Sequence, residues 1–289
     1  MNRVAIVGYG KVGQCYGKVF PDAVIYDKST HFFPSISDGK LYTTQISKVN
    51  EWADMAIVCV PTPEAPDGSC DTSIVEEVVK QLEVPLILIK STVTPGTTDR
   101  LREATGKSIA HSPEFVGEGG YFVPPPYPDP VDPRQHGFCI LGGTEEDCTV
   151  VAGIMAPALG PFTRFRFVTA KESETIKLVE NAFIATKITF CNEMYDLCEA
   201  LGVNWYKVRE GWLDDARVGL SHTAVYPHSR GFKSSRCLAK DVPSLVHVAR
   251  SVGIGLPLLE SVGSALKASG NKGNFTDPVD SPYGKNHAV

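Results

Sequence analysis

The sequence predicts an α/β protein: a Rossmann-type, doubly wound parallel sheet followed by a mainly α-helical domain built on one long central helix. Three observations carry this. A short β-branched apolar run ends in the spaced glycines Gly8, Gly10 and Gly13. Further apolar runs alternate with helical stretches through the first half, the pattern of parallel strands joined by crossover helices. In the second half the chain runs from Thr169 to Gly202 without a proline or a glycine. These features divide the chain into residues 1–168, a dinucleotide-binding domain, and 169–289, a helical domain for dimerisation and substrate.

The first strand and turn are "RVAIVGYGKVG", with the pattern Gly8-x-Gly10-x-x-Gly13. Glycine there permits a tight turn and lets the backbone approach a pyrophosphate, which rests on a helix N-terminus. A second apolar run, "AVIYDKS", ends in Asp27, 19 residues beyond Gly8. That is where a β-α-β unit sets a carboxylate against the ribose hydroxyls of NAD. An acid there repels the extra phosphate of NADP, so NAD is the expected cofactor despite Lys28 next door. More buried strands are expected at 55–60, 85–90 and 137–143, with a helix at 73–83. Ligands of such a sheet sit at the carboxyl ends of its strands. Three loops leave such ends: "PTPEAPDGSCD", "STVTPGTT" and "HSPEFVGEGG". The six prolines of 124–133 make a stiff exposed loop, open to reading as a lid, a partner contact or plain surface.

The long helix begins at "TAKE", a capping box with Thr169 as N-cap and Glu172 three residues on. About 32 residues would span roughly 48 Å at about 1.5 Å per residue. Ile176, Phe183, Phe190 and Leu197 recur every seven residues, a stripe for packing either within the chain or, as favoured here, against a second copy. Lys177 and Asn181, four apart, share one face. An ammonium and an amide so placed can both donate to an oxygen gaining negative charge. Beyond lies "SSRCLAKD", which sets Cys237 among charges, and then two closing helices, "VPSLVHVARSVG" and "LPLLESVGSALKAS", broken at Gly253–Gly255.

Composition bounds the partners. Of 289 residues, 43% are apolar and 21% charged, as in soluble globular proteins. A net charge of −5 leaves no basic excess for nucleic acid or a membrane surface. No apolar run reaches the roughly 20 residues of a membrane span, and the N-terminus lacks a signal peptide's features. The eight cysteines form no CxxC pair, which fits a reduced, cytoplasmic setting, and no metal site is expected. Cys59 and Cys139, inside apolar runs, read as inert buried thiols.

Seven segments now stand in order: "GYGKVG", "VPTPEAPDGSCDTSIV", "KSTVTPGTT", "SPEFVGEG", "ETIKLVENAFIATKITFCNE", "DDARVG" and "CLAKD". Together they resemble the nucleotide-sugar 6-dehydrogenases, the UDP-glucose and GDP-mannose dehydrogenases, in a short form without their C-terminal nucleotide-binding domain. The resemblance implies NAD-dependent four-electron oxidation of a nucleotide sugar's primary alcohol to a carboxylate, by a homodimer. A second hydride can leave only from a tetrahedral carbon, so something must add to the intermediate aldehyde. A thiolate does this, giving a thiohemiacetal and then a thioester that water cleaves. A free thiol, with a pKa near 8.5, is only a few per cent ionised at pH 7, a fraction that Lys177 would raise if it converges on the pocket.

By the same resemblance Cys237 is the nucleophile, and Lys177 and Asn181 hold the oxyanion. Asp241 and Thr92 position or activate water, and Glu114 is the base for thioester hydrolysis. Gly8, Gly10, Lys11, Val12, Gly13, Asp27, Thr62 and Thr92 are the expected cofactor contacts. Glu118, Lys177, Asn181, Arg217, Lys233 and Arg236 are the expected substrate contacts, with Arg217 reaching across from a neighbouring subunit. Ser234 and Ser235 stand where the family has two glycines, so side chains occupy space that glycine leaves open, and a reshaped sugar pocket follows. Two other readings remain at this point: a two-electron β-hydroxyacid-type dehydrogenase needing no cysteine, and a catalytically inactive NAD-binding relative.

Overall fold

The computed structural model describes residues 3–35, 38–117, 131–225 and 236–269. The chain divides into two compact units, the first reaching Lys177 and the second beginning at Leu178.

In the first unit an eight-stranded sheet has the order β3-β2-β1-β4-β5-β6-β7-β8. Its strands are β1 (Val4–Val7), β2 (Val24–Tyr26), β3 (Leu41–Thr43), β4 (Met55–Val58), β5 (Leu86–Ile89), β6 (Ile109–His111), β7 (Phe138–Gly142) and β8 (Arg164–Val168). Every residue of β1, β4 and β5 is buried, as expected of central parallel strands covered on both faces. The covering helices are α1 (Lys11–Val19), α2 (Ile46–Trp52), α3 (Ser73–Gln81), α4 (Thr97–Thr105) and α5 (Glu145–Leu159). Two apolar clusters result, one on each side of the sheet: Ile6, Ile57 and Leu88 point into one, Val7, Val58 and Ile89 into the other. The order reverses between β1 and its neighbours β2 and β4, so the carboxyl end of β1 opens on a topological switch point.

The sheet is parallel except at one step, where β7 runs antiparallel to β6 and then pairs in parallel with β8. The run at 137–143, read from sequence as another parallel strand, thus meets β6 in the opposite sense. Strands β3 and β8 carry weak sequence signals for a physical reason. The former has three residues, and the latter, "RFRFV", is an edge strand bearing Arg164 and Arg166, the kind of charge that blunts an open edge.

The helix α6 (Ala170–Leu201) gives its first two turns to this unit and the rest to the second. Its capping box is formed as the sequence predicts: Thr169 N–H donates to Glu172 Oε2 at 2.7 Å, and Glu172 N–H to Thr169 Oγ1 at 3.2 Å. The helix start is seated on β7, since a Cβ on Gly142 would lie 2.3 Å from Ser173 Cβ.

The second unit packs the remainder of α6 with α7 (Trp205–Leu213), α8 (Arg236–Ser251) and α9 (Pro257–Ser269). Ala182 and Ala185 of α6 meet Leu238 and Val242 of α8 and Val262 and Leu266 of α9. A second cluster gathers Cys191, Cys198, Trp205 and Val225. Helix α8 begins at Arg236, ahead of the closing helix read from sequence at 242, and passes through Pro243, which gives up its own N–H and crowds the carbonyl one turn back. The break before α9 is present, with Gly253 at φ 79°. Of the seven-residue stripe, Phe183, Phe190 and Leu197 are exposed, at 64%, 46% and 49%, while Ile176 is half-buried. All eight cysteines are free thiols, and no helix among the described residues is long and apolar enough to cross a membrane. The proline-rich stretch read as a stiff loop lies mostly outside the described residues.

The seat of α6 is testable. Gly142→Ala should cost about 1–3 kcal/mol through overpacking against Ser173, read as an earlier urea midpoint. An unchanged midpoint would contradict the close approach.

Candidate active site

The loop after β1 is built by three glycines for three reasons. Gly8 sits at φ 92°, and a Cβ there would lie 2.8 Å from the Cys59 carbonyl oxygen. On Gly13 a Cβ would lie 2.0 Å from the Gly8 carbonyl oxygen, so only glycine lets α1 pack on the loop. Gly10 differs: a Cβ there would meet nothing within 4 Å, and it is the N-cap of α1, with no side-chain cap and no acid in the first turn. The loop therefore offers open backbone and a positive helix end together, the requirements of a diphosphate. Lys11 is exposed and Val12 half-buried in the turn that follows. Asp27 ends β2 and fastens the loop, accepting Tyr9 N–H on Oδ2 at 2.8 Å and Ser29 N–H on Oδ1 at 3.0 Å. These residues fit NAD: a cradle that side chains would fill, and a carboxylate at the ribose position.

The carboxyl ends of the next strands carry the other polar groups of this unit. Thr62 is buried beyond β4, and Thr92, half-buried, lies beyond β5, its carbonyl accepting from Cys70 Sγ at 3.4 Å. Beyond β6 stands Glu114, buried, accepting the Val116 N–H. Lys177, 6% exposed, lies with its ammonium 5.1 Å from the centre of the Phe115 ring, a cation–π arrangement.

The second unit contributes a hydrogen-bonded set of its own. Asn181 Nδ2 donates to Asp241 Oδ2 at 2.6 Å, and Lys240 Nζ to Oδ1 at 2.5 Å. Asp241 is 0% exposed, and a buried carboxylate is tolerable only when so paired. Its charge fixes the orientation of the Asn181 amide, whose second N–H completes its donor set. Cys237 is half-buried in the first turn of α8, four residues and so one turn before Asp241. Nearby, Lys187 Nζ donates to the Gly219 carbonyl at 3.1 Å, which ties α6 to the loop bearing Arg217. Arg217 is exposed and engages Asp215 through Nε at 3.0 Å.

Two family models match the chain. Residues 29–148 match the NAD binding domain of the UDP-glucose/GDP-mannose dehydrogenase family, and 171–265 its central domain. The chain belongs to the UDP-glucose/GDP-mannose dehydrogenase family. It is 32% identical over 237 residues to the UDP-glucose 6-dehydrogenase of Rickettsia typhi, covering 78% of this chain and 52% of that one. Against a Bacillus subtilis UDP-glucose 6-dehydrogenase it is 30% identical over 251 residues, 82% of this chain and 53% of the other. The chain thus spans about half the length of the curated relatives it matches. In fold it is similar to a UDP-glucose dehydrogenase of Pyrobaculum islandicum, with TM-score 0.74, 24% identity and coverage of 93% and 68%. It is similar also to the 3-hydroxyisobutyrate dehydrogenase of Mycobacterium tuberculosis, with TM-score 0.67, 17% identity and 94% of both chains covered.

Among the site residues read from sequence, Glu118 and Lys233 lie outside the described residues, as do Ser234 and Ser235; Arg236 is described only as the start of α8. Among the buried polar groups that sequence reading did not single out, three lie near the strand ends and the start of α6. Lys90 Nζ donates to Ser112 Oγ at 3.0 Å and to the Pro113 carbonyl at 2.9 Å, and lies over the Tyr16 ring. Burial lowers its pKa. Its signal was a lysine closing the apolar run "PLILIK". His111 shares a hydrogen bond of 2.8 Å between Nδ1 and Ser173 Oγ, while its Nε2 has no hydrogen-bond partner among the described residues. The third is Glu174, three residues ahead of Lys177 on the same face of α6.

Burial, reinforced by Lys90, pushes His111 down from 6.5 to about 3. Between those values the unfolded chain binds a proton that the folded chain refuses. The stability held above pH 6.5 should therefore be lost on acidification towards 3, with a slope from this group of up to about 1.4 kcal/mol per pH unit. Urea unfolding across that range should show a shallower slope in His111→Asn; equal slopes would contradict the assignment. Asp241→Ala, which strands the Asn181 amide and the Lys240 ammonium, should cost about 3 kcal/mol by thermal or urea unfolding.

Proposed function

We propose that this chain, as a homodimer, is an NAD-dependent dehydrogenase that oxidises the primary alcohol of a nucleotide sugar to a carboxylate in two steps. The observation that carries the reading is the cysteine on α8 one turn before Asp241, itself bonded to Asn181. In the overall balance one alcohol and one water become one carboxylate, with two hydrides and three protons released. Bound NAD, held by the Gly8–Gly13 loop and Asp27, supplies the acceptor for each hydride.

The residues of the chain do the rest. Lys177 and Asn181 donate to the substrate oxygen as it becomes an alkoxide and again when thiolate addition makes it an oxyanion. Cys237 lies at the positive end of α8, where a helix favours a negative group, and its sulfur adds to the aldehyde carbon. The resulting thiohemiacetal carbon is tetrahedral and can lose the second hydride, leaving a thioester. Thr92 and Asp241 orient water, Glu114 takes its proton, and the C–S bond breaks to return the thiolate. Asp241 acts first through Asn181: it accepts one N–H of the amide, which leaves the other to donate to the reacting oxygen.

Two features support the partners proposed. The exposed Phe183, Phe190 and Leu197 on α6 form an apolar stripe suited to the same helix of a second copy, and Arg217, exposed in the first, would reach the substrate of that copy. The eight free thiols suit a reducing, cytoplasmic setting.

Wild-type protein given NAD and UDP-glucose or a related sugar nucleotide should release two NADH per sugar consumed. Cys237→Ser should cut acid formation by about a thousandfold or more, as loss of a nucleophile does. Acid made by that variant at the wild-type rate would sink the thioester route, and one NADH with a carbonyl product would point instead to two-electron chemistry.

A further inference from the structure

Glu174 is a charged side chain with no exposed surface, set on α6 in the first unit. Its Oε2 accepts the Gly96 N–H at 2.5 Å and its Oε1 the Thr98 N–H at 2.7 Å. Gly96 is the N-cap of α4, held at φ 97°, where a glycine is favoured and where no side chain of its own is available to cap the helix. The cap therefore comes from a different element: the carboxylate of α6 closes the first turn of α4, with the helix dipole in its favour. Gly96 also ends the loop from β5, whose other end holds Lys90, Ser91 and Thr92. On α6, Glu174 is three residues before Lys177 and seven before Asn181, positions that fall on one face of a helix.

We infer that Glu174 is a positioning residue, which fixes the loop carrying Thr92 against the helix carrying Lys177 and thereby sets the cofactor and water side of the reaction. This rests on the function proposed above. Two charge-assisted bonds to backbone N–H groups define both the distance and the angle of that loop. A neutral amide of the same shape keeps one acceptor but turns an N–H donor towards the other backbone N–H. An alanine removes both acceptors and leaves two amides at a buried helix start unsatisfied. Burial raises the pKa of Glu174, and the hydrogen bonds from Thr98 and Gly96 oppose that shift.

The test compares Glu174→Ala, Glu174→Gln and the control Glu172→Ala, which removes the exposed carboxylate half of the α6 capping box. Each is assayed as full chain for melting temperature, for NAD affinity by calorimetry, and for kcat and KM with UDP-glucose. The expectation is that Glu174→Ala lowers kcat and weakens NAD binding by about tenfold or more each, with KM for the sugar nucleotide little changed. Glu174→Gln should fall between it and wild type. Glu172→Ala should lower the melting temperature and leave both functional readouts alone. The inference is overturned if folded Glu174→Gln and Glu174→Ala keep wild-type kcat and NAD affinity, or if the control loses as much of both. Should wild type bind NAD but oxidise no sugar nucleotide, the functional reading fails, and the NAD affinities of the variants decide the inference by the same criterion. Wild type that does not bind NAD sinks both.

Discussion

Burying Glu174, Lys177 and Asn181 along one face of α6 is unfavourable, and much of the surrounding structure offsets it. Ionised or amide groups removed from water destabilise a fold unless hydrogen bonds or opposite charge replace the lost solvent. Here Glu174 receives two backbone N–H groups, Lys177 lies over an aromatic ring, and Asn181 is bonded to Asp241. Each offset fixes a neighbouring segment: the start of α4, the loop after β6, and the first turns of α8. Within each unit, then, the burial of a polar group on α6 is tied to the position of one neighbouring segment.

The same economy appears at the sheet. Its buried strands are interchangeable hydrocarbon, but their carboxyl ends are not, because each strand must release a polar loop there. Gly8 and Gly13 are dictated by backbone collisions, and Gly10 by open space. The contrast separates glycines that make the turn from one that stands in open space, and explains why the spacing carries information beyond glycine content.

Much of this was legible in the sequence because it is local. A capping box, a glycine turn and an acid at the end of a second strand are encoded within a few residues; the Thr169–Glu172 cap is formed and Asp27 stands just beyond β2, where spacing puts them, while its bond to Tyr9 N–H was not foreseen. The long helix was readable for the same reason: nothing in it breaks the repeat. Non-local features were not readable. Glu174 and Gly96 are 78 residues apart, and Asn181 and Asp241 60 apart, so no window contains both partners. The reversed direction of β7 likewise depends on which strand it meets, not on its own residues. Edge strand β8 was hidden by its arginines.

The resemblance to a family supplied what local pattern could not, by assigning roles to Cys237 and Asp241 before their helix was known. In the structure Cys237 stands in the first turn of α8, and Asp241, one turn further, accepts from the amide of Asn181. The most direct check is to quench the full chain in acid during turnover with NAD and UDP-glucose and to weigh its peptides. The account predicts an acyl-nucleotide mass on the peptide containing Cys237 that hydroxylamine removes. Steady NADH release with Cys237 unmodified, or with the adduct on another of the eight thiols, would contradict it.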